Sequence, residues 1–347
     1  MSRDITLKDL AKILGVSAST ISRSLKNHPD ISPETKSMVL DMARKLNYQP
    51  NVIAQKLRSQ KTKTIGVIIP DIVHFFFSTV VSGIEEAADE AGYRIMFCRS
   101  AESMEKEIYY THSLLSHRVD GLLVSMSKET NNFDHFSEAL EKVPVVFFDR
   151  RMDAFESTNV VVDDYQGSKK AVQHLIDQGC RKIAHIMSPK TLSISIDRLK
   201  GYRDALAENN LPSRSEYVIK DFGGQQEGGY RAAQILMSLS DPPDAIFACN
   251  DMVAFGVMQL LKEKNIRIPD DLALVGFSDW QFAELTDPRL TSVSQPGFLI
   301  GKKATEILIS QMNKEGGYSH ETLVLPTKLN IRESSVKAKI AATEEHH

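Results

Sequence analysis

The sequence has few cysteines and no long apolar run. Its three cysteines, Cys98, Cys180 and Cys249, are widely spaced and odd in number, so they predict no disulfide framework. No segment approaches the roughly 18 consecutive apolar residues of a membrane span. The opening MSRDITLKDL contains no apolar core of the signal-peptide type. We therefore expect a cytoplasmic protein with no membrane partner.

The common catalytic motifs are missing as well. The chain has no G-x-G-x-x-G after a strand-like run, no phosphate-binding G-x-x-x-x-G-K-[ST], no H-E-x-x-H and no G-x-S-x-G. Its 10 histidines show no metal-ligand spacing. These absences weigh against the dehydrogenases, nucleotide hydrolases, zinc proteases and serine hydrolases that carry such motifs. The sequence therefore predicts no enzyme, no catalytic residue, no cofactor and no metal.

The charge of the chain is distributed unevenly. With 347 residues, 42% of them hydrophobic and 25% charged, the chain is typical of a globular protein of two or three domains. The net charge is −3, but the first 63 residues contain 12 basic and 5 acidic residues, which leaves −10 for the remainder. A basic N-terminal segment favours a polyanion as the partner of that segment. A solvated basic surface without a partner is the alternative.

Residues 6–25, TLKDLAKILGVSASTISRSL, have the pattern of two short helices separated by a tight turn. Thr6 can cap the first helix, and Asp9 three residues later completes a near capping box. Gly15 suits the left-handed conformation that a helix C-terminus often needs. Ser17 can then cap a second helix whose outer face includes Arg23. This spacing is typical of a helix-turn-helix DNA reader.

A third helix is predicted from Ser32-Pro33-Glu34, which combines a cap, a proline at the first helical position and an acid in the first turn. Its expected apolar stripe consists of Met38, Val39, Met42, Ala43 and Leu46. Three short helices with a basic outer face favour DNA binding over the alternative, a helical hairpin that only packs against its neighbours.

The quoted segment and several later ones resemble the LacI/GalR transcriptional regulators. In order, they are TLKDLAKILGVSASTISRSL, ISPETKSMV, YQPNVIAQKLR, IGVIIPDIVHFFF, VDGLLV, VVVDDYQGSKKAVQHLIDQG, RLKGYRDAL, DAIFACNDMVAFGVMQLL and VGFSDW. The resemblance extends over about residues 5–335. Since several independent blocks occur in the family's order, the match is more specific than any single motif.

The resemblance implies particular contacts with double-stranded operator DNA. Ala18, Ser19 and Arg23 would face base edges, with Arg23 suited to a bidentate contact to guanine. Phosphate contacts are implied for a set of hydroxyl side chains: Ser17, Thr20, Ser22, Ser32 and Thr35. These contacts position the protein on the duplex without specifying sequence.

The segment from Pro50 to Arg58 resembles the hinge helix of the family, which folds when two chains meet on an operator. Leu57 would be the apolar wedge that enters the minor groove and kinks the duplex. Asn51 and Ala54 match the hinge pattern. A core leucine is the alternative for Leu57, although a short helix between polar residues has little core to join.

Beyond Lys63, strand-like runs alternate with helical stretches, which is the pattern of βαβ units on parallel sheets. About ten strands are too many for one such sheet unit, so the fold class is α/β with two doubly wound lobes. The resemblance implies a periplasmic-binding-protein-like (type I) sensor domain behind the all-α reader and hinge helix. The predicted boundaries are 1–49 for the reader, 50–63 for hinge and linker, 64–335 for the sensor and 336–347 for a tail. The lobes would be 64–163 plus 293–326, and 164–292 plus 327–335.

Ligands of open α/β sheets bind at the carboxyl ends of the strands, so the effector site is expected in the cleft between the lobes. The candidate residues follow strand-like runs or match family positions: Phe76, Phe77, Arg150, Arg198, Phe222, Asn250, Asp279 and Trp280. The paired N–H groups of an arginine guanidinium and other polar side chains can form hydrogen bonds with hydroxyl groups. The face of an aromatic ring can stack on a sugar ring. For Phe76 and Phe77 a core position is the alternative, and for Trp280 packing at the lobe edge. Asp251 is assigned to helix capping or a lobe bridge.

Two positions depart from the family pattern. His74-Phe75 stands where relatives usually have Asn-Pro, and Ser278 stands where many have aspartate, which leaves the acidic role to Asp279.

The sequence therefore predicts a ligand-responsive, sequence-specific transcriptional regulator, a repressor rather than an activator. It is expected to bind DNA as a homodimer, because the tail after Ser335 lacks the apolar heptads of a higher-order zipper. Because a dimer presents two recognition helices, its operator should be near-palindromic. The expected effector is a carbohydrate. A purine or a protein partner is the alternative regulator, and a sugar-binding transport protein is the alternative function.

Overall fold

The computed structural model describes residues 5–48, 61–72, 75–188, 192–220, 225–314 and 317–337. The chain forms two compact units, Met1–Thr62 and Lys63–His347. Several expectations lie outside the described residues: the hinge helix with Asn51, Ala54 and Leu57, the position of His74, and Phe222.

The first unit contains three helices, α1 (Leu7–Leu14), α2 (Ala18–Leu25) and α3 (Pro33–Lys45). The capping box at Thr6 is complete, because the Thr6 backbone N–H donates to the Asp9 carboxylate at 2.9 Å and the Asp9 N–H donates to the Thr6 hydroxyl. Gly15 ends α1 with φ of 67°, in the left-handed region where a side chain would be strained. These local signals fix the angle at which α2 leaves α1.

The small core of the first unit is formed by Leu10, Ile21, Val39 and Ala43. The expectation that Met38 joins the apolar stripe of α3 is wrong, since its side chain is 42% exposed. The core side of α3 is set by Val39 and Ala43, four residues apart, and Met38 lies about 100° away from Val39 around the helix.

The first lobe of the second unit is built on a six-stranded parallel sheet in the order β11-β5-β4-β3-β1-β2. Its strands are β1 (Thr64–Ile69), β2 (Arg94–Arg99), β3 (Gly121–Val124), β4 (Val145–Phe148), β5 (Thr158–Val162) and β11 (Thr322–Leu325). Its helices are α4 (Phe75–Glu90), α5 (Met104–Ser116), α6 (Asp134–Leu140) and α11 (Gly297–Asn313). Every residue of β1, β3 and β4 is buried, as expected for a parallel sheet covered on both faces.

The second lobe repeats this arrangement with the order β12-β10-β9-β8-β6-β7. Its strands are β6 (Ile183–Met187), β7 (Val218–Lys220), β8 (Ala245–Ala248), β9 (Ala273–Ser278), β10 (Thr291–Ser294) and β12 (Lys328–Asn330), of which only β12 is antiparallel to its neighbour. Its helices are α7 (Asp164–Asp177), α8 (Ser193–Glu208), α9 (Gln226–Met237) and α10 (Asp251–Glu263). Short 3-10 turns lie at Ser215–Tyr217, Gln281–Glu284 and Glu333–Ser335.

The chain passes between the lobes three times: after β5, after β10 and after β11. The second passage follows Ser294, which still pairs with Ser278 of β9, and is therefore slightly later than the expected residue 292. The described residues contain 12 strands, against the ten or so expected; β11 and β12 have only four and three residues, of which one is buried.

Helices α4 and α11 pack closely in the first lobe. A Cβ on Gly83 would lie 2.0 Å from the carbonyl oxygen of Phe298, so only glycine allows this approach. None of the helices in the described part of the chain is long and apolar enough to cross a membrane.

Candidate functional site

The outer face of α2 in the first unit carries the residues proposed to read DNA. Arg23, Ser17 and Ser19 are exposed, whereas Ile21 and Ser24 on the opposite face are buried. Ala18, Thr20 and Ser22 are half-buried on the flanks of the exposed face. The arrangement leaves one long cationic side chain, that of Arg23, among small polar ones.

Four of the five proposed phosphate contacts, all except Ser22, lie at the N-termini of α2 and α3. Ser17 caps α2 by accepting a hydrogen bond from the Thr20 N–H at 3.0 Å, and its hydroxyl also lies 2.7 Å from that of Ser19. Ser32 caps α3 in the same way through Thr35. First-turn N–H groups and capping hydroxyls at a helix N-terminus suit the binding of an anion such as phosphate.

A cavity lies between the two lobes, and its residues come from the carboxyl ends of the parallel strands and from helices α4 and α8. The first lobe contributes Asp71, Phe76, Phe77, Glu102, Asp149 and Arg150. The second contributes Ser188, Arg198, Asn250, Asp251, Ser278 and Trp280. Six of the eight predicted ligand residues are therefore brought together at one cavity; Asp279 does not line it, and Phe222 lies outside the described residues.

Arg150 of the first lobe is held by a carboxylate in a two-pronged ion pair. Its Nη1 and Nη2 each donate to one oxygen of Glu102 at 2.8 Å, and Nη1 also donates to the Met126 carbonyl. Burial opposes the charge of this guanidinium, but the bonds and charge of Glu102 outweigh it and raise the pKa of Arg150. Likewise, burial acts to raise the pKa of Glu102, yet the Arg150 contacts bring it below its ordinary value. The pair is therefore ionised at neutral pH.

The turn before Arg150 is strained. Asp149 has φ of 66°, and the Arg150 N–H donates to the Phe148 carbonyl at 2.7 Å across it, as in a γ-turn. Asp149 is buried, its carboxylate accepts a hydrogen bond from Ser125, and burial raises its pKa. The Nε of Arg150 has no hydrogen-bond partner and lies 3.6 Å from the Asp149 carboxylate.

Arg198 on α8 is the counterpart in the second lobe. Its Nε and Nη2 contact the Asp164 carboxylate at 2.7 and 2.6 Å, and Nη1 donates to the Cys249 carbonyl. The guanidinium lies 3.6 Å from the centre of the Phe277 ring. Burial raises the pKa of Asp164 to about 6, against the opposing charge of Arg198. Asp164, the Cys249 carbonyl and the Phe277 ring hold the guanidinium in place, and this fixes the directions of its remaining N–H groups.

The neighbouring polar residues differ from their expected roles. Asn250 caps α10, since its side-chain oxygen accepts from the Val253 N–H at 2.9 Å, whereas capping had been assigned to Asp251. Asp251 instead accepts from the Ser292 hydroxyl and the Trp280 N–H and is 2% exposed. The helix begins at Asp251, and the residue before it, Asn250, is therefore the one in the capping position.

Asp279 points away from the cavity. Its carboxylate accepts hydrogen bonds from Asn330 at 2.6 Å and from Arg332 at 2.7 Å. With Ser278 in the cavity lining beside it, the position where many relatives have aspartate carries no carboxylate here.

The aromatic candidates fall into two groups. Phe77 is 5% exposed and belongs mainly to the core of the first lobe, with the half-buried Phe76 packed edge-on against it at 5.2 Å. Trp280 packs against Phe255 and Phe282, with ring centres 6.0 and 5.1 Å away. Phe76 and Trp280 are therefore better placed than Phe77 to present a ring to a ligand.

Sequence reasoning did not identify several cavity residues, notably Asp71, Glu102, Lys128, Asp149, Gln225 and Gln295. Several of them follow strand-like runs at the same end of the sheets as the residues that were identified. Their positions after YRIMFCRS, VDGLLVSM and VVFF were the available signal. The described residues contain no cluster of three potential metal ligands, and Cys98, Cys180 and Cys249 are free thiols.

Comparison with known families matches both units. Residues 6–51 match the family described as "Bacterial regulatory proteins, lacI family", and residues 172–335 match a "Periplasmic binding protein-like domain". The chain is 34% identical to Catabolite control protein A of Priestia megaterium, over 96% of this chain and 99% of that protein. It is 32% identical to the Probable HTH-type transcriptional repressor ExuR of Bacillus subtilis, over 95% and 98%.

The solved structures with a similar fold include transcriptional regulators of the same domain organisation. A complex of the transcriptional regulator CelR with cellobiose has a TM-score of 0.72 and 28% identity, covering 95% of this chain and 99% of that one. The fold also resembles that of the Lac repressor dimer bound to operator, with a TM-score of 0.84 and 24% identity over 96% of this chain and 100% of that one. Many of the similar proteins are transcriptional repressors by name.

Proposed function

Because the chain belongs to the LacI family of bacterial regulatory proteins, we propose that it is a cytoplasmic repressor that binds a near-palindromic operator as a homodimer. Its operator affinity is set by a small molecule, a sugar or sugar derivative, in the cleft between the lobes. The observation that carries this proposal is the inter-lobe cavity lined by Arg150 and Arg198, in a chain that also contains a capped helix-turn-helix.

The DNA-binding part of the proposal assigns residues 1–49 to the reader and 50–63 to the hinge and linker. Arg23 contacts a guanine, and Ala18 and Ser19 make the smaller base contacts. The N-termini of α2 and α3 hold phosphates through Ser17, Ser32 and their neighbours. Since only one long side chain lies on the exposed face of α2, DNA shape contributes much of the specificity. Leu57, with Asn51 and Ala54, completes the reading in the minor groove.

The effector part rests on residues 64–335. Phe76 and Trp280 flank the ligand ring, and the residual N–H groups of Arg150 and Arg198 donate to its hydroxyls. Asn250 and Ser278 add polar contacts at the ends of β8 and β9. Support comes from the similarity to a regulator solved with cellobiose and to an Enterococcus faecium regulator solved with ribose, the latter 28% identical over 80% of this chain and 100% of that one, with a TM-score of 0.69.

The dimer is supported by large apolar side chains on the surface of the second unit. Leu285 is 77% exposed, Phe282 44%, Phe298 42% and Leu299 38%. Exposed side chains of this size suit burial against a second copy of the chain. A dimer also presents two α2 helices to successive major grooves, which is the geometry that a near-palindromic operator requires.

The coupling follows from the three crossings between the lobes. A ligand that contacts both lobes changes their relative arrangement, which alters the dimer surface and the folding of the hinge helices. A coupling free energy of about 1–3 kcal/mol is enough to change operator affinity between about five- and 150-fold.

The experiment that tests the proposal has two steps. The full chain is first used to select binding sites from a random duplex pool, which should yield near-palindromic sequences. The quenching of Trp280 fluorescence is then titrated with a panel of sugars, sugar phosphates and purines, and operator affinity is measured with each ligand that binds. Selected sites without symmetry would contradict the dimer, and a purine as the tightest ligand would contradict the sugar effector.

A further inference from the structure

The two arginines of the cleft share a feature that bears on the charge of the effector. Each guanidinium is already paired with a carboxylate of its own lobe, Arg150 with Glu102 and Arg198 with Asp164. Arg198 and Asp164 are almost fully buried, and the Arg150 side chain is 8% exposed. The positive charges are therefore neutralised before any ligand binds.

The remaining charges of the cavity do not change this balance. Besides the two paired arginines, the lining contains one cation, Lys128, and the carboxylate of Asp71; its other two carboxyls, of Asp149 and Asp251, have a pKa raised by burial. The Asp149 carboxyl lies 3.6 Å from the Nε of Arg150, whereas Glu102 contacts the two terminal nitrogens. An anionic ligand would thus enter a site whose net charge is not positive.

Hydrogen-bond donors nevertheless remain on both arginines. Three of the five N–H groups of Arg150 are used by Glu102 and Met126, its buried Nε faces the Asp149 carboxylate at 3.6 Å, and one N–H on Nη2 remains. Arg198 likewise retains one N–H on each terminal nitrogen after its bonds to Asp164 and the Cys249 carbonyl. Hydroxyl oxygens can accept from such groups without adding charge.

Glu102 is held firmly in this position. Besides the two bonds from Arg150, its carboxylate accepts the Lys128 backbone N–H at 2.7 Å. Ala101 and Glu102 have φ values of 52° and 62°, so the loop after β2 adopts two successive left-handed residues to place this carboxylate. Replacing Glu102 by a ligand carboxylate would break all three bonds and leave Glu102 near a second negative charge.

From this geometry we infer that Glu102 is a charge-selectivity residue: it occupies the fork of Arg150, so that the cleft binds uncharged polyhydroxylated ligands and rejects carboxylate and phosphate derivatives of the same sugars. The inference rests on the proposed sugar effector and narrows its class. Asp164 has the corresponding position towards Arg198, but it is 3% exposed and inaccessible, whereas the Glu102 side chain is 24% exposed at the cavity wall.

The test compares neutral and acidic members of the same sugar series. Full-length chain at pH 7.5 is titrated by calorimetry with glucose, galactose, mannose, ribose and cellobiose. The matched acids are glucuronate, galacturonate, mannuronate, ribose 5-phosphate, cellobionate and glucose 6-phosphate. The wild type should bind at least one neutral sugar, and its matched acid at least tenfold more weakly. An acid that binds more tightly than its neutral counterpart would overturn the charge selectivity while leaving the sugar effector standing.

The variant Glu102→Gln keeps the size of the side chain and removes its charge. It should raise the ratio of acid affinity to neutral affinity at least tenfold. Glu105→Gln is the matched control, because Glu105 is an exposed carboxylate three residues away, at the start of α5, and the ratio should stay at its wild-type value. An unchanged ratio in Glu102→Gln would overturn the role of Glu102. The wild-type ratio tests selectivity even if the variant does not fold, and binding of no sugar of either class would overturn the proposed effector itself.

Discussion

Arg151 of the first lobe forms an ion pair with Asp197 of the second, with Nη1 3.1 Å from Oδ2. The backbone N–H of Arg151 also donates to the Ser193 hydroxyl at 3.0 Å. Both contacts join the turn after β4 to the start of α8, next to the two arginines of the cleft. The bridge therefore favours the lobe arrangement in which Arg150 and Arg198 line one cavity.

We expect Asp197→Asn to weaken effector binding about two- to fivefold, because a partly exposed ion pair contributes up to about 1 kcal/mol. Calorimetric titration with the tightest ligand of the panel measures the effect. Asp153→Asn is the control, since Asp153 also pairs with Arg151 but belongs to the same lobe. Equal losses in the two variants would show that the bridge between lobes has no special role.

A second prediction concerns the base contact of Arg23. Arg23→Ala should weaken the free energy of binding to the selected operator by about 1–3 kcal/mol, which is the contribution of a good bidentate pair with guanine. Binding to non-specific duplex should change far less. Arg44→Ala removes another exposed arginine, from the end of α3, and should affect specific and non-specific binding alike. Fluorescence anisotropy on both duplexes makes the comparison.

The hinge prediction rests on the family resemblance. Leu57→Ala should weaken binding to the selected operator much more than binding to non-specific DNA, because only the specific complex inserts the wedge into a kinked step. With about 6–10 phosphates neutralised, the wild-type affinity should also fall steeply with salt. Equal losses on both duplexes would argue against the wedge, and a flat salt dependence would argue against phosphate contacts.

Arg198 offers a test of the cleft in the second lobe. Arg198→Lys retains a cation for the buried Asp164 but removes the planar fork and its fixed N–H directions. Effector affinity should fall at least tenfold, while operator affinity without effector stays within about twofold of wild type. Normal effector affinity in this variant would remove Arg198 from the binding site.

The buried carboxyl of Asp251 predicts a pH dependence of stability. Burial raises its pKa to about 7, so the folded protein keeps a proton that the unfolded chain loses near its ordinary pKa. The unfolded state binds fewer protons in this window. The free energy of unfolding should therefore fall as pH rises from about 4 to 7, by at most about 1.4 kcal/mol per pH unit for this group.

Asp251→Asn should flatten this slope, because the variant cannot titrate. Urea unfolding between pH 5 and 8 measures it, with Asp153→Asn as the control at an exposed carboxylate. A wild-type slope in Asp251→Asn would show that another group, such as Asp164, dominates the pH dependence.

Much of the fold was predictable from the sequence because its signals are local. The Thr6 capping box, the left-handed Gly15 and the alternation of apolar runs with helical stretches each act within a few residues. Strands such as β11 and β12 were harder to predict, because only one of their seven residues is buried and their pairing with β5 and β10 is set by distant parts of the chain.

The cleft was less predictable, because its contacts join residues that are far apart in the sequence. The sequence placed Arg150 at the end of a strand-like run and Arg198 at a family position, but their carboxylate partners lie 48 and 34 residues away along the chain. Nor does spacing show which of two adjacent residues takes a helix cap: Asn250, and not Asp251, caps α10. Asp279 was expected at the ligand but is held by Arg332, 53 residues later.

The most direct test of the account measures operator affinity of the full chain by anisotropy while the occupancy of the cleft is followed through Trp280 fluorescence. Saturation with the tightest neutral sugar should change the operator dissociation constant at least fivefold, and Arg198→Lys should require correspondingly more sugar for the same change. Quenching of Trp280 at full occupancy with an unchanged operator dissociation constant would contradict the coupling between cleft and DNA.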